Sequence, residues 1–495
     1  MKMKFYYLLM SIFLATLLLS ACQNNPSINT VVSKNDGSFD VNVVESASES
    51  HSTNETQEVS YLDQFQSTDG TVNFTISLDT TIMDSDMSVV RVAPYYLSSE
   101  DAKRVANVLF PNSIFYEVEP PQLENLSKEE ILTKITRWTP YTNAKAVNSL
   151  YSNVYSESAQ KDVAEVTQSF IERYTLMYES APEEETREMC RWTMRKSSEY
   201  YLLPDELAQV NTENDNDEIS AQLTESGIPY RYTVSTRNKN DFKVNAIVAY
   251  INDGLCPDTL DTRIFRAELC RTEEPGKAQL DEIKKRAEKI LEQMDMGEWK
   301  IDRCYVRTDL YGDAPEYVIC VSAVPVLNGI AALRLPQLAS LRNEEGYAPK
   351  QYLSDVNFEF APNGELISFD LYTPLEIVDT VNTNVKVIPM EDLLNRAKEL
   401  LALYDYHAFS FGYFVDFLEE NVQCNVTISV IEYGLLRVPV PDNVDEYYYV
   451  PAVTLKGHSE YVGKNSGKVY SEDTELETIL SLNAVDGTVI DMYKG

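Results

Sequence analysis

The strongest constraint on this chain is that its C-terminal portion is written twice. Arg286-Ala-Glu-Lys-Ile-Leu291 returns as Arg396-Ala-Lys-Glu-Leu-Leu401. Leu280, Ile283, Ala287, Ile290 and Met294 keep helical spacing, as do Leu393, Leu394, Ala397, Leu401 and Tyr404, so each copy predicts an amphipathic helix. Strands follow in the same order, with Glu316-Tyr317 leading into Val-Ile-Cys-Val and Glu446-Tyr447 into Tyr-Tyr-Val. Each copy closes on a hairpin, Phe358-Glu-Phe-Ala-Pro-Asn-Gly364 and Leu482-Asn-Ala-Val-Asp-Gly487. Asn-Gly and Asp-Gly between apolar runs favour hairpins because both central residues tolerate positive φ. One helix on a small antiparallel sheet is an α+β layer. Two such units are expected, over 276–375 and 376–495.

The preceding region, 69–275, reads as mixed α and β. Val72-Asn-Phe-Thr-Ile-Ser-Leu78 and Val89-Val-Arg-Val92 alternate as half-buried strands do. Ser98-Ser-Glu-Asp101 predicts a capped helix to about Leu109, and Ser127-Lys-Glu-Glu130 is a capping box ahead of Ile131, Leu132 and Ile135. Helices are expected over 143–178 and 183–203, the last stopped by Pro204, and an exposed acidic loop over 211–218. Strands return at 230–234 and 244–250, joined by Asn238-Lys-Asn-Asp241.

The N-terminus is a separate feature. Lys2 and Lys4 precede an apolar run from Phe5 to Leu19, too short to span a bilayer comfortably, and then Leu19-Ser20-Ala21-Cys22. Small residues before a scissile bond mark a secretory signal. The four-residue pattern resembles the bacterial lipobox, which implies a signal peptide over 1–21, acylation of Cys22 and a palmitate-bearing anchor; two acyl chains suffice for stable attachment. Residues 22–68, rich in Ser, Asn, Thr, Gln and Glu, read as a disordered tether. The expected location is the extracellular face of the cell membrane, with the membrane reached through the lipid.

The two C-terminal units resemble PepSY-type domains and related extracellular domains of Gram-positive histidine-kinase regulators, through the helix, the strands and the closing Asn483-Ala-Val-Asp-Gly487-Thr-Val-Ile490. The whole chain resembles uncharacterised lipoproteins of clostridial bacteria. The PepSY-type resemblance implies a non-catalytic role in regulating peptidases or partner proteins. The second unit departs from it by long insertions, such as Val422 to Asn443.

Charge and chemistry narrow the function further. A formal charge of −36 argues against nucleic acid, whose phosphates need clustered Lys and Arg. The six cysteines after Cys22 show no CxxC and no zinc spacing. Cys304 and Cys320 flank Gly312-Asp313-Ala314-Pro315, and a hairpin centred on Gly312 would set them opposite for a disulfide; two buried thiols are the other reading. Three histidines, His51, His407 and His458, without HExxH offer no metal site, and GxSxG is missing. Ser158-Ala-Gln-Lys161 lies in an expected helix and reads as a solvated face. Gly463-Lys-Asn-Ser-Gly467-Lys468 fails the phosphate-loop spacing and reads as a polar turn. Asp84-Ser-Asp86 and Asn214-Asp-Asn-Asp-Glu218 lack the glycine and distal glutamate of a calcium loop. Tyr447, Tyr448 and Tyr449 must alternate across a strand, so they form no sugar-stacking platform. No catalytic residue, no metal and no cofactor is expected. The expected function is binding or regulating a protein or peptide partner at the cell surface. A carboxylate-dependent hydrolase of cell-wall glycan and a solute- or cation-binding lipoprotein are the alternatives.

Overall fold

The computed structural model describes residues 55–84, 87–117, 126–184, 187–196, 215–239, 242–251, 258–334, 354–409, 412–440, 443–472 and 476–490. In chain order the strands are β1 (Glu55–Gln66), β2 (Val72–Asp84) and β3 (Met87–Pro94), then α1 (Ser99–Leu109) and β4 (Tyr116–Glu117). Three helices follow, α2 (Lys128–Trp138), α3 (Ala144–Tyr151) and α4 (Glu157–Tyr178), then β5 (Arg195–Lys196) and a meander of β6 (Asp215–Glu225), β7 (Ile228–Lys239) and β8 (Phe242–Ile251). Next come α5 (Asp258–Cys270) and α6 (Lys277–Met294), with β9 (Glu298–Asp309), β10 (Glu316–Leu327), β11 (Ile330–Ala331), β12 (Asp355–Phe360), β13 (Leu366–Tyr372) and β14 (Leu375–Val385). The chain closes with α7 (Met390–Leu401), a single turn α8 (Gly412–Val415), β15 (Val422–Val440), β16 (Asn443–Gly463), β17 (Val469–Glu472) and β18 (Glu477–Asn483).

This is an α+β chain built on two largely antiparallel sheets. One runs β9 beside β10, then β12-β13-β8-β7-β6, with β4 and β5 on β6 and β11 on β10. The other runs β1-β2-β15-β16-β3-β14, with β17 and β18 also on β16. The duplicated sequence maps onto duplicated pairing. After α6, β10 lies between β9 and β12, and β12 pairs β13. After α7, β16 lies between β15 and β18, and Leu482 at the end of β18 bridges Val489 across the Asp-Gly turn. Gly364 and Gly487 both have positive φ, 90° and 71°. A methyl at Gly364 would touch Arg286, and one at Gly487 would touch Arg396, so the matched arginines lie against the matched hairpins. Arg286 also donates to the Gly364 carbonyl.

Burial follows the periodicities. Ile283, Ala287, Ile290, Leu291 and Met294 of α6 pack on one face of the first sheet, with Ala102, Val105 and Ala106 of α1 in the same core. Tyr232 donates to the Ala102 carbonyl at 2.7 Å, so its buried phenol is satisfied. In the second sheet, Leu393, Leu394, Ala397 and Leu401 of α7 cover Val72, Phe74 and Ile76. The cap expected at Ser98 and the capping box expected at Ser127 both form, and Ser98 with Asp101 is itself a full capping box, like Ser127 with Glu130.

Several expectations are corrected. Residues 55–66, assigned to the disordered tether, form β1 and pair along their whole length with β2. The composition there is polar, but Tyr61 and Phe65 alternate onto the α7 core, and Phe65 stacks on Phe74 at 5.0 Å. No helix spans the described residues between 183 and 196; Arg195–Lys196 is a strand on β6. Asp215–Glu218, expected in an acidic loop, begins β6, where pairing to β7 satisfies its backbone. Val422 to Asn443 is no insertion: Val422–Val440 is the long strand β15, and β16 begins at Asn443. Nor does the N-terminal region build a sheet of its own. β1 to β3 join the second unit's sheet, and β6 to β8 extend the first unit's.

Candidate functional site

Of the residues singled out in the sequence, Cys22, His51, Ser85, Asp86, Pro204 and Asn214 are among those that lie outside the described residues. Cys304 and Cys320 are free thiols. The hairpin pairs Cys304 with Val321 and Cys320 with Tyr305, one step away from the expected register. Because strand side chains alternate, that single step puts the two sulfurs on opposite faces. Burial pushes the Cys320 thiol up to about 11, leaving it protonated. His407 is half-buried beyond α7, and His458 is half-buried inside β16 opposite Thr427. Ser158 and Lys161 are exposed on α4. Tyr447 and Tyr449 face one cluster and Tyr448 another. Among the described residues no group of three or more His, Cys, Asp or Glu is arranged to hold a metal, and no helix is long and apolar enough to cross a membrane.

The site that the fold does build lies where the two sheets meet. Val90, Val92, Val324, Leu327, Leu435 and Tyr449 pack there from strands of both. Ala332 bridges Leu435 in parallel, and the Leu333 amide donates to the Leu435 carbonyl at 2.8 Å. This contact needs Gly434, since a Cβ there would fall 2.6 Å from the Ala331 carbonyl oxygen. The bridge sets two similar segments side by side, Ala331-Ala-Leu-Arg334 and Gly434-Leu-Leu-Arg437. It thereby brings Arg334 and Arg437 to one small cleft. Ser354, Asp355 and Tyr449 complete its polar lining, while Val324, Pro325, Ala332 and Leu333 form its apolar wall. A cation inside each apolar run was the sequence signal for this site. It went unread because the segments match in only a few positions and lie far apart in the chain.

A rigid lattice of charge supports the cleft. Between Ser322 and Ala323 the β9–β10 register shifts so that Asp302 becomes the extra residue of a bulge. Arg334 forks onto Asp302 at 2.7 and 3.0 Å and reaches Asp355 at 2.9 Å. Burial pushes the Asp355 carboxyl up, against the pull of Arg334. On the same sheet face, Arg266 holds Asp309 at 2.8 Å and Glu359 at 3.2 Å, and Arg307 holds the same two carboxylates. Arg263 of α5 and Arg271, the residue just after it, converge on fully buried Glu316, at 2.6 and 3.2 Å. Asp370 stands among these groups. Burial, with Glu359 and Asp355 adding like charge, pushes its carboxyl up to about 6.

A second feature lies at the far end of α7. The connection to β15 is held at three points. Thr68 donates backbone and side-chain hydrogen bonds to the Ala402 carbonyl, at 2.7 and 2.8 Å. Tyr461 donates to the Tyr406 carbonyl at 2.7 Å. Glu420 accepts from the Asn465 and Ser466 amides and from the Ser466 and Tyr470 hydroxyls. Those bonds, led by the Ser466 hydroxyl, pull the Glu420 carboxyl down to about 2. The glycine turn 463–468 therefore does cradle an anion, but it is the chain's own carboxylate. From this anchored connection Leu403, Phe414 and Phe417 project outward, 58%, 59% and 83% exposed.

No protein-family profile matches the chain, and no curated protein matches it. Among solved structures it is similar to an uncharacterized protein from Eubacterium rectale ATCC 33656, at 12% identity over 85% of this chain and 91% of that one, with a TM-score of 0.36. It is also similar to the Bacillus megaterium YpeB C-terminal domain, at 9% identity over 55% of this chain and 97% of that domain, with a TM-score of 0.19.

Proposed function

We propose that the chain is a lipoprotein attached through Cys22 to the outer face of the cell membrane, and that it binds a protein or peptide partner there without catalysing a reaction. In this reading the two helix-and-hairpin units are PepSY-like modules used as a rigid support. The observation that carries it is the anchored connection after α7. Large apolar side chains at the surface are ordinary when scattered. Here Phe414 and Phe417 lie three residues apart on a backbone fixed by Thr68, Tyr461 and the 463–468 turn. A backbone ordered in advance lowers the entropy lost on association, and aromatic side chains are the usual anchors of interfaces. Asp405, Asp416 and Glu419 flank them as an acidic rim, which suits a partner with basic residues around an apolar centre.

One observation favours the hydrolase alternative. Asp370 has the raised carboxyl that a general acid needs. Its carboxylate neighbours Glu359 and Asp355 are committed to arginines, which suits a structural lattice better than an acid–base pair. The test of the partner reading is crosslinked pull-down from intact producing cells. Recovery of a reproducible partner by the wild-type chain and its loss with Phe414→Asp/Phe417→Asp supports the proposal. Equal recovery by both chains, or glycan release that Asp370→Asn abolishes, overturns it.

A further inference from the structure

We propose that Glu420 is the positioning residue of the partner-binding segment: seated in the 463–468 turn, its carboxylate is a latch that holds Phe414 and Phe417 where a partner meets them. The inference rests on the partner reading above and adds the contact on which capture depends.

The seat is built before Glu420 enters it. The turn between β16 and β17 is closed by its own bonds, from the Gly463 amide to the Lys468 carbonyl at 2.8 Å and from the Gly467 amide to the Gly463 carbonyl at 2.9 Å. Successive amides of such a turn point into one concavity, which suits an anion. Asn465 and Ser466 donate their amides to Glu420 Oε1 at 2.9 and 2.6 Å. The Ser466 and Tyr470 hydroxyls donate to Oε2 at 2.7 and 2.8 Å. Ser466 Oγ also accepts from the Lys468 amide at 3.0 Å, which leaves its proton for the carboxylate. Each carboxylate oxygen thus meets two fixed donors, and hydrogen bonds to an ionised acceptor are the strong ones. Gly463 belongs to the seat as well, because a Cβ there would fall 2.6 Å from Glu420 Cδ.

The position of the seat along the chain makes it a latch for the aromatic pair. Val415 and Leu418 turn inward onto the core of the second sheet, while Phe414 and Phe417 of the same turn face out. That turn is held internally by the Phe417 amide on the Phe414 carbonyl, at 3.2 Å, and the Leu418 amide on the Val415 carbonyl, at 2.9 Å. One helical turn is too short to hold its own shape in water. On its upstream side Tyr406 donates to Asp416 at 2.8 Å. On its downstream side come Glu420, three residues beyond Phe417, and the Asn421 carbonyl, which accepts from the Lys464 amide of the same seat at 2.8 Å. Thr68 and Tyr461 grip the connection further back, at Ala402 and Tyr406. Glu420 therefore acts closest to the displayed rings, through a surface side chain that can be removed without opening the core.

The test joins hydrogen exchange of the purified full chain with crosslinked pull-down from intact producing cells, on Glu420→Ala and on Gly463→Ala, whose methyl occupies the carboxylate's place. In both variants the Phe417 and Leu418 amides should exchange at least about tenfold faster, the equivalent of one charge-assisted hydrogen bond lost. Amides in the middle of β16 should stay as protected as in the wild type. The recovered adduct should fall at least about threefold, because a loosened segment must be ordered again on binding. Acetate should enter the emptied seat of Glu420→Ala and restore slow exchange, and should leave Gly463→Ala unchanged. Unaltered exchange at Phe417 and Leu418, or the same response of both variants to acetate, would overturn the inference. The wild type tells the two failures apart. No adduct from it overturns the partner reading itself, whereas a wild-type adduct undiminished in Glu420→Ala overturns this inference alone.

Discussion

The two helix-and-hairpin units share a kernel and differ in how they leave their helix. In the first, three residues, 295–297, carry the chain from α6 into β9, and Asp295 and Gly297 make the turn with φ of 51° and 91°. In the second, residues 402–421 intervene between α7 and β15 and carry Phe414 and Phe417. The first unit's remaining face is closed by α5 through buried ion pairs, whereas the second presents exposed aromatic side chains from a fixed backbone. The two helix-and-sheet supports differ most at this connection, where added residues leave the sheet ladders intact.

If that division is right, the largest stability effect belongs to the closed unit. Glu316→Ala would leave Arg263 and Arg271 without their shared carboxylate and should cost about 3–5 kcal/mol in denaturant unfolding. A cost below about 1 kcal/mol would mean that α5 does not depend on this pair. Asp370 should act in the opposite direction. Its carboxyl sits near 6 in the folded chain and near 4 when unfolded, so the native state binds more protons between those values and stability falls as pH rises through them. Asp370→Asn should therefore stabilise the protein at pH 7.5, by about 1–3 kcal/mol, and flatten the pH dependence of unfolding between about 4 and about 6.

The equivalence of the units has its own test. Gly364→Ala and Gly487→Ala each force an L side chain into positive φ against the helix of its own unit, and each should cost about 1–2 kcal/mol. Widely unequal costs would break the equivalence. The smallest effect is expected at Phe417. Because its side chain is 83% exposed, Phe417→Ser should change stability by less than about 0.5 kcal/mol while removing partner capture.

What was legible in the sequence was local. The helix periodicity of 280–294 and 393–404, the two capping boxes and the Asn-Gly and Asp-Gly hairpins rest on interactions between near neighbours in the chain. What escaped depends on pairing between distant strands. β2 lies parallel to β15, matching Phe74 with Val426, and no local pattern records that choice. The cysteine register shows how fine the margin is. Moving the hairpin centre by half a residue from Gly312 re-pairs Cys304 with Val321 and reverses its face. The cleft was invisible for the same reason: Asp302 reaches Arg334 only because a bulge re-aims it, and Arg334 meets Arg437 only through the Ala332–Leu435 bridge.

The central claim, that the anchored aromatic segment is the partner-binding face, is tested most directly by placing a photo-crosslinking amino acid at position 417 in intact cells. The same amino acid at Leu62, 76% exposed on β1, serves as the control. The account predicts one adduct of defined mass from position 417 and none from position 62. No adduct from 417, or the same adducts from both positions, would contradict it.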